Sequence, residues 1–513
     1  MKTVALNSRA GKWIMISSIL ASSMAFIDAT ALNVVLPALQ KSLNATLTDT
    51  FWILNAYLVM LAALILIGGS LGDQLGRKKI FMVGIFIFIS GSAACGFAPG
   101  VLMLVVFRVV QGIGGALMIP GSLSLISSSI NQKERGKAIG TWSAFTTVVT
   151  VGGPILGGVL ADAGLWRFIF FINVPLGLIA LFISWRCVSE SKDDDKTRRI
   201  DYPGAITIAL ALALITYGFL QIPELGLHNW QVGASLVVGM VLLVVFVFIE
   251  KKSKHPMMPL PLFSNLTFSG ANLLTFFLYA GLGAGMLFTS LNMVQVQGYS
   301  QKQAGLTFLP FSILMISIAR FAGALAGKYG PRLFLIIGPI VAGAGLLMLS
   351  FIKQTDGAGQ YWTTFFPGML VLGLGMSFTV APLTAAVMAS VTDHFSGTAS
   401  GVNNAVSRIA GVFTNAIFGT LAVLFFSGAL QRQIQPLQLN ATQKQEVVKQ
   451  SNALGNAKVP NDIESKDKAA VEKSYHAAFI STYSRIMKIS AVLGFLGGLM
   501  GFVFIRNVGV KRE

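Results

Sequence analysis

One carboxylate, Asp28, interrupts the otherwise apolar stretch 13–36. An ionised Asp at bilayer depth costs about 3 kcal/mol on insertion scales, so a residue of this kind reads as functional. Desolvation favours the neutral form of a carboxyl group, which suits binding and releasing a proton. Of the twenty acidic residues, it is the one that falls well inside a span. Arg108 lies inside a second apolar stretch, 101–128, and needs a partner or an aqueous cavity there. Asp28 precedes residue 36 by eight positions and Arg108 follows residue 101 by seven. At about 1.5 Å per residue both lie roughly 10–12 Å below the same surface, and equal depth predicts that they interact. A proton-carrying role further requires Asp28 to meet a central cavity open to each side in turn.

The elements that must position this pair are membrane helices. The chain has 513 residues, is 54% hydrophobic and 11% charged, with a mean hydropathy of +0.72; soluble domains carry about 25% charged residues. Fourteen apolar spans, from 13–36 to 480–505, are separated by short basic punctuation, as in an α-helical polytopic protein. A transmembrane β-barrel would alternate with period two. The net charge of +18 collects at alternate span ends, including Arg77, Lys78 and Lys79, Lys133, Arg135 and Lys137, and Lys251, Lys252 and Lys254. That placement is topological and predicts both termini in the cytoplasm, with no nucleic-acid partner. Cys95 and Cys187 make no disulfide framework, and the four histidines lie in loops or near span ends, so neither a metal site nor a cofactor is expected.

The spans divide into a six-helix bundle over 1–188, a charged linker with two inserted helices over 189–266, and a second six-helix bundle over 267–513. A polar stretch, 428–475, is expected to form an extracytoplasmic loop. The segments GSLGDQLGRK (69–78) and GALAGKYGPR (323–332) resemble each other and mark an internal repeat, typical of secondary transporters.

The first of these turns closely resembles the loop signature of the major facilitator superfamily. The resemblance implies a latch between the two halves built from Gly69, Asp73, Gly76 and Arg77, with Asp73 facing a helix that begins near 396–398. LVVFRVVQGIGGA (104–116) resembles the fourth-helix motif, with Arg108 and Gln111 in place. GGPILGGVL (152–160) resembles the fifth-helix signature of drug/proton antiporters, and its small residues Gly153, Pro154, Gly157 and Gly158 suit close helix packing. Val149 departs from that pattern, which usually has glycine there. With IDATALNVVLP (27–37) and WRFIFFINVPLG (166–177), the chain is similar to the fourteen-helix drug:H+ antiporter branch. The resemblance implies a coupling role for Asp28.

The reading that follows is a monomeric exporter in a bacterial inner membrane, exchanging protons for a small molecule. Asp28 and Arg108 couple the proton, and Asn33, Asn55, Tyr57, Gln111 and Gln295 are candidates to line the cavity, interhelical hydrogen bonding being the other explanation. One buried carboxylate favours monocationic, zwitterionic or neutral lipophilic cargo over dications. A metabolite, siderophore or lipid exporter of the same fold stays open, as does a non-translocating receptor. No GxxxxGK[ST] loop occurs, which argues against an ATP-driven pump, and no nucleophile, base and orienting group assemble into an enzyme site.

Overall fold

The computed structural model describes residues 3–191, 201–391 and 396–506. The helices are α1 (Arg9–Leu43), α2 (Leu47–Leu75), α3 (Arg77–Phe97), α4 (Val101–Ser129), α5 (Gln132–Asp162), α6 (Phe168–Phe171), α7 (Asn173–Cys187), α8 (Tyr202–Leu225), α9 (Trp230–Lys252), α10 (Leu266–Gln295), α11 (Gln301–Leu306), α12 (Leu309–Tyr329), α13 (Arg332–Leu349), α14 (Phe365–Ala389), α15 (Ser396–Ile434), α16 (Ala441–Lys449) and α17 (Ser465–Phe504). Among the described residues thirteen spans are long and apolar enough to cross a membrane, α6 with α7 and α11 with α12 each counting as one. The fourteenth expected span falls on α5, whose described apolar stretch is Val148–Asp162.

Local chemistry sets the helix starts. Thr46 and Asp49 form a capping box at α2, and Ser300 and Gln303 form another at α11. The two repeated turns share a device: Gly76 between α2 and α3 has φ 114°, and Gly330 between α12 and α13 has φ 87°, values that favour glycine. At Gly76 an added Cβ would also sit 2.8 Å from the Glu190 carboxylate, which accepts hydrogen bonds from the Lys78 and Lys79 amides.

The first bundle packs α1 against α5 and α7, and α4 against α2 and α3; the second packs α10 against α17, and α14 against α12 and α13. The halves meet along α2–α15 and α5–α11. The inserted pair α8–α9 leans through α8 on both α2 and α15, with Trp52 against Tyr217 at 6.3 Å and the Thr420 hydroxyl donating to the Phe219 carbonyl. The stretch 428–475 differs from a plain loop. It continues α15, forms α16 and a 3-10 turn Gln450–Asn456, and begins α17. Val447, Leu454, Ile463, Val471 and Tyr475 are buried there, and these apolar positions, too sparse to read as a span, pack the segment onto the bundle.

Candidate functional site

Asp28 and Arg108 come together. Arg108 Nη1 lies 2.5 Å from Asp28 Oδ2, Gln111 Nε2 donates to Asp28 Oδ1 at 2.9 Å, and Arg108 Nη1 also donates to Gln111 Oε1 at 2.8 Å. Arg108 Nε donates to the Ile53 carbonyl at 3.2 Å, and the guanidinium stacks 4.4 Å from the Tyr57 ring centre. Asp28 is 0% and Arg108 1% exposed. Both carboxylate oxygens therefore accept charge-assisted hydrogen bonds in a dry site, the condition under which such bonds are strongest.

The expected contact between Asp28 and a central cavity is not present in this state. Phe26, Ala29, Thr30 and Asn33 recur at helical spacing and form the partly accessible face of α1. Asp28 lies about 200° around the helix from Phe26, turned into the bundle toward α4. Of the five candidate cavity residues, Asn33 alone is on that partly accessible face. Tyr57 and Gln111 belong to the Asp28–Arg108 network, and Asn55 is fully buried with neither amide atom hydrogen-bonded. Gln295 sits at the far end of α10, where its Nε2 donates to Gln40 Oε1 at 3.1 Å.

That last contact belongs to a seal on the face opposite the termini. Asp162, at the end of α5, accepts from Ser300 Oγ at 2.7 Å and from the Gln301 and Lys302 amides at 2.7 and 3.0 Å. Behind it α5 and α11 approach at glycines: a Cβ on Gly158 would lie 2.4 Å from the Gln301 carbonyl oxygen, and one on Gly305 2.4 Å from that of Pro154. Gly153 and Gly157 face α1 instead: a Cβ on Gly153 would lie 2.0 Å from Thr30 Oγ1, and one on Gly157 2.6 Å from the Ala31 carbonyl oxygen. The antiporter-like motif thus packs α5 against α1 within its half and against α11 across the seam. The Gln450–Asn456 turn closes over the same place, with Asn456 Nδ2 donating to Gln40 Oε1 at 3.4 Å.

Within the second bundle, between α10, α14 and α15, a cavity of about 80 Å³ is lined by Tyr279, Thr384, Ser400, Asn403, Asn404 and Ser407 with neighbouring apolar side chains. Asn403 is held by hydrogen bonds to Asn272 Oδ1 at 3.1 Å and Thr275 Oγ1 at 2.7 Å. Beside it Arg408 reaches across the seam, its guanidinium 5.7 Å from the Phe26 ring centre. Sequence reasoning missed Arg408, although a lone Arg inside the span 398–427 carries the same signal as Arg108.

A family model, Major Facilitator Superfamily, matches residues 18–415. The chain belongs to the Major Facilitator Superfamily. It is 30% identical over 413 residues to the multidrug resistance protein Stp of Mycobacterium tuberculosis, covering 80% of this chain and 76% of that one. It is 30% identical over 398 residues to the tetracenomycin C resistance and export protein of Streptomyces glaucescens, covering 78% and 73%. A bacterial homolog of the human lysosomal transporter Spinster, crystallised inward-facing, superposes with a TM-score of 0.63 at 17% identity over 98% of this chain and 100% of that one. The fold is that of a superfamily transporter, and the protein is a multi-pass membrane protein.

Of the superfamily turn, Gly69 lies on α2 with a Cβ position 3.8 Å from Pro120, and Gly76 makes the turn. Arg77 begins α3, its amide donating to the Ser191 carbonyl at 2.7 Å. The Asp73 side chain and the side chain of Ser396, where its expected partner helix begins, lie outside the described residues.

Proposed function

We propose that this superfamily member exports lipophilic, drug-like compounds across the inner membrane of a bacterium in exchange for protons, working as a monomer with both termini in the cytoplasm. The observation that carries the reading is the dry Asp28–Arg108–Gln111 network inside the spans, in a chain whose relatives are named for multidrug resistance and antibiotic export. The basic clusters at the terminal-face helix ends support the orientation. With that orientation the sealed far face is external and the Arg408 side of the seam faces the cytoplasm.

The coupling logic is electrostatic. Unprotonated, Asp28 neutralises Arg108 and both tolerate a waterless site. A proton on Asp28 cancels that attraction and leaves Arg108 as an uncompensated buried cation, a cost of several kcal/mol. The protonated protein is thereby driven toward a conformation that hydrates the pair, and release of the proton favours the sealed one. The membrane potential adds about 2.3 kcal/mol per charge per 100 mV. Gly69, Asp73, Gly76 and Arg77 act as the cytoplasmic latch in this cycle.

Arg108 takes up the charge of Asp28 in this state, so that carboxylate is not free to pair with a cationic cargo. The test is accumulation of a panel of lipophilic dyes in cells expressing the protein, with and without a protonophore. Protonophore-sensitive exclusion is expected, and exclusion unaffected by the protonophore contradicts proton exchange.

A further inference from the structure

We infer that Arg408 binds an anionic group of the cargo, so that the transporter selects lipophilic organic acids over cations. The inference rests on the export reading above and adds the chemical class of what is carried. Arg408 lies twelve residues into α15, roughly 18 Å from its terminal-face end and therefore near the membrane midplane. It follows Ser407 and lies one turn from Asn404, two residues that line the cavity, and is within electrostatic reach of the Tyr57 and Tyr279 hydroxyls.

The two arginines of the seam region are unlike each other. Arg108 donates to a carboxylate, an amide and a carbonyl. Arg408 has no carboxylate within ion-pair distance among the described residues, and its buried Nε has no hydrogen-bond acceptor. Its guanidinium lies 5.7 Å from the Phe26 ring centre. Asp28 and Arg108 cancel, whereas Arg408 keeps its charge with no ion pair among the described residues.

A guanidinium fork matches the two oxygens of a carboxylate, and an acceptor at Nε with one at a terminal nitrogen is the bidentate arrangement. Phe26 beside it, and Tyr279 and Leu383 of the neighbouring cavity, supply apolar surface for the body of an aromatic acid. A cationic cargo would meet repulsion at the same point. The reacting partners exchange no bonds: the acid docks as its anion and leaves as the far face opens.

The probe set is 1-pyrenebutyrate, its methyl ester and 1-pyrenemethylammonium, which share one fluorophore and differ in charge. Equilibrium binding to the full chain in lipid nanodiscs is read without any pH gradient. The acid is expected to bind about tenfold more tightly than the ester, as one charge-assisted pair requires, and the ammonium more weakly than both. Arg408→Gln erases the acid–ester gap and Arg408→Lys keeps part of it. A wild-type protein that binds ester or ammonium as tightly as acid overturns the assignment, as does a gap that survives Arg408→Gln.

Phenylglyoxal modification of wild-type Arg408, read by mass spectrometry, needs no variant to fold. Saturating pyrenebutyrate is expected to slow it severalfold and the ester is not; equal rates overturn the assignment. Acid preference retained by a protein lacking gradient-driven flux supports the Arg408 assignment while sinking the proton-exchange reading.

Discussion

The Asp28 carboxylate and the Arg108 guanidinium close on each other at 2.5 Å in a site with no access to water. On the proposed exchange, a proton reaches Asp28 only after helices α1 and α4 move or the bundle hydrates. The energetics of the pair can be measured apart from transport.

Each single substitution strands one buried group. Asp28→Asn leaves Arg108 without a counter-charge and Arg108→Gln leaves Asp28 without one, each destabilising the protein by about 3 kcal/mol. The double variant Asp28→Asn/Arg108→Gln removes both charges and recovers a large part of the loss. Thermal unfolding of the three purified variants reads this cycle, and strictly additive losses would contradict the pairing.

Asp162 is the far-face lock. Asp162→Asn removes the charge that accepts from Ser300, Gln301 and Lys302, and an open far face gains by about 1 kcal/mol, roughly a fivefold population shift. Gly100 and Gly359, on far-face loops of opposite halves, have no atom within 4 Å of an added Cβ and are suited to spin labels once Cys95 and Cys187 are replaced. The distance distribution between Gly100→Cys and Gly359→Cys labels is expected to lengthen with Asp162→Asn. An unchanged distribution removes the lock.

Gly158→Ala acts on the same seal by steric means, since its new methyl would meet the Gln301 carbonyl oxygen at 2.4 Å. Such overpacking costs about 1–3 kcal/mol of the closed state. Gly152→Ala, on the same helix with nothing within 4 Å, is the control and leaves the label distances unchanged. Equal behaviour of the two variants would show that α5–α11 proximity is not what holds the seal.

The folded segment over the seal depends on Leu454, fully buried at φ 49° between Gln450 and Asn456. Leu454→Ala opens a cavity worth about 2–5 kcal/mol and loosens this turn from Gln40 and Gln295. Limited proteolysis from the far side is expected to cleave within 435–464 faster in the variant. Matching cleavage rates would mean the segment is held elsewhere.

Much of this architecture was legible in the chain because lipid imposes length and apolarity on every span. Asp28 and Arg108 could be paired from equal depth alone. The direction in which Asp28 points could not, because α1 carries polar side chains on more than one face, Ser18 and Ser22 on the buried side and Thr30 and Asn33 on the partly accessible one. Arg408 was lost among Asn403, Asn404 and Ser407, a polar run whose hydrogen bonds obscure the one cation. Nothing in the sequence singles out Asp162, since its partners Ser300 to Lys302 lie in the other half. The helices of 428–475 were hidden because their buried residues are few and widely spaced.

Proton dependence at Asp28 is tested most directly in proteoliposomes carrying wild type or Asp28→Asn at equal amounts of folded protein. Two fluxes of a transported dye are compared: accumulation driven by an imposed pH gradient, and exchange of labelled for unlabelled dye at equal pH. Wild type is expected to do both. Asp28→Asn is expected to keep exchange and lose stimulation by the gradient. Full gradient-driven accumulation by Asp28→Asn would contradict the account.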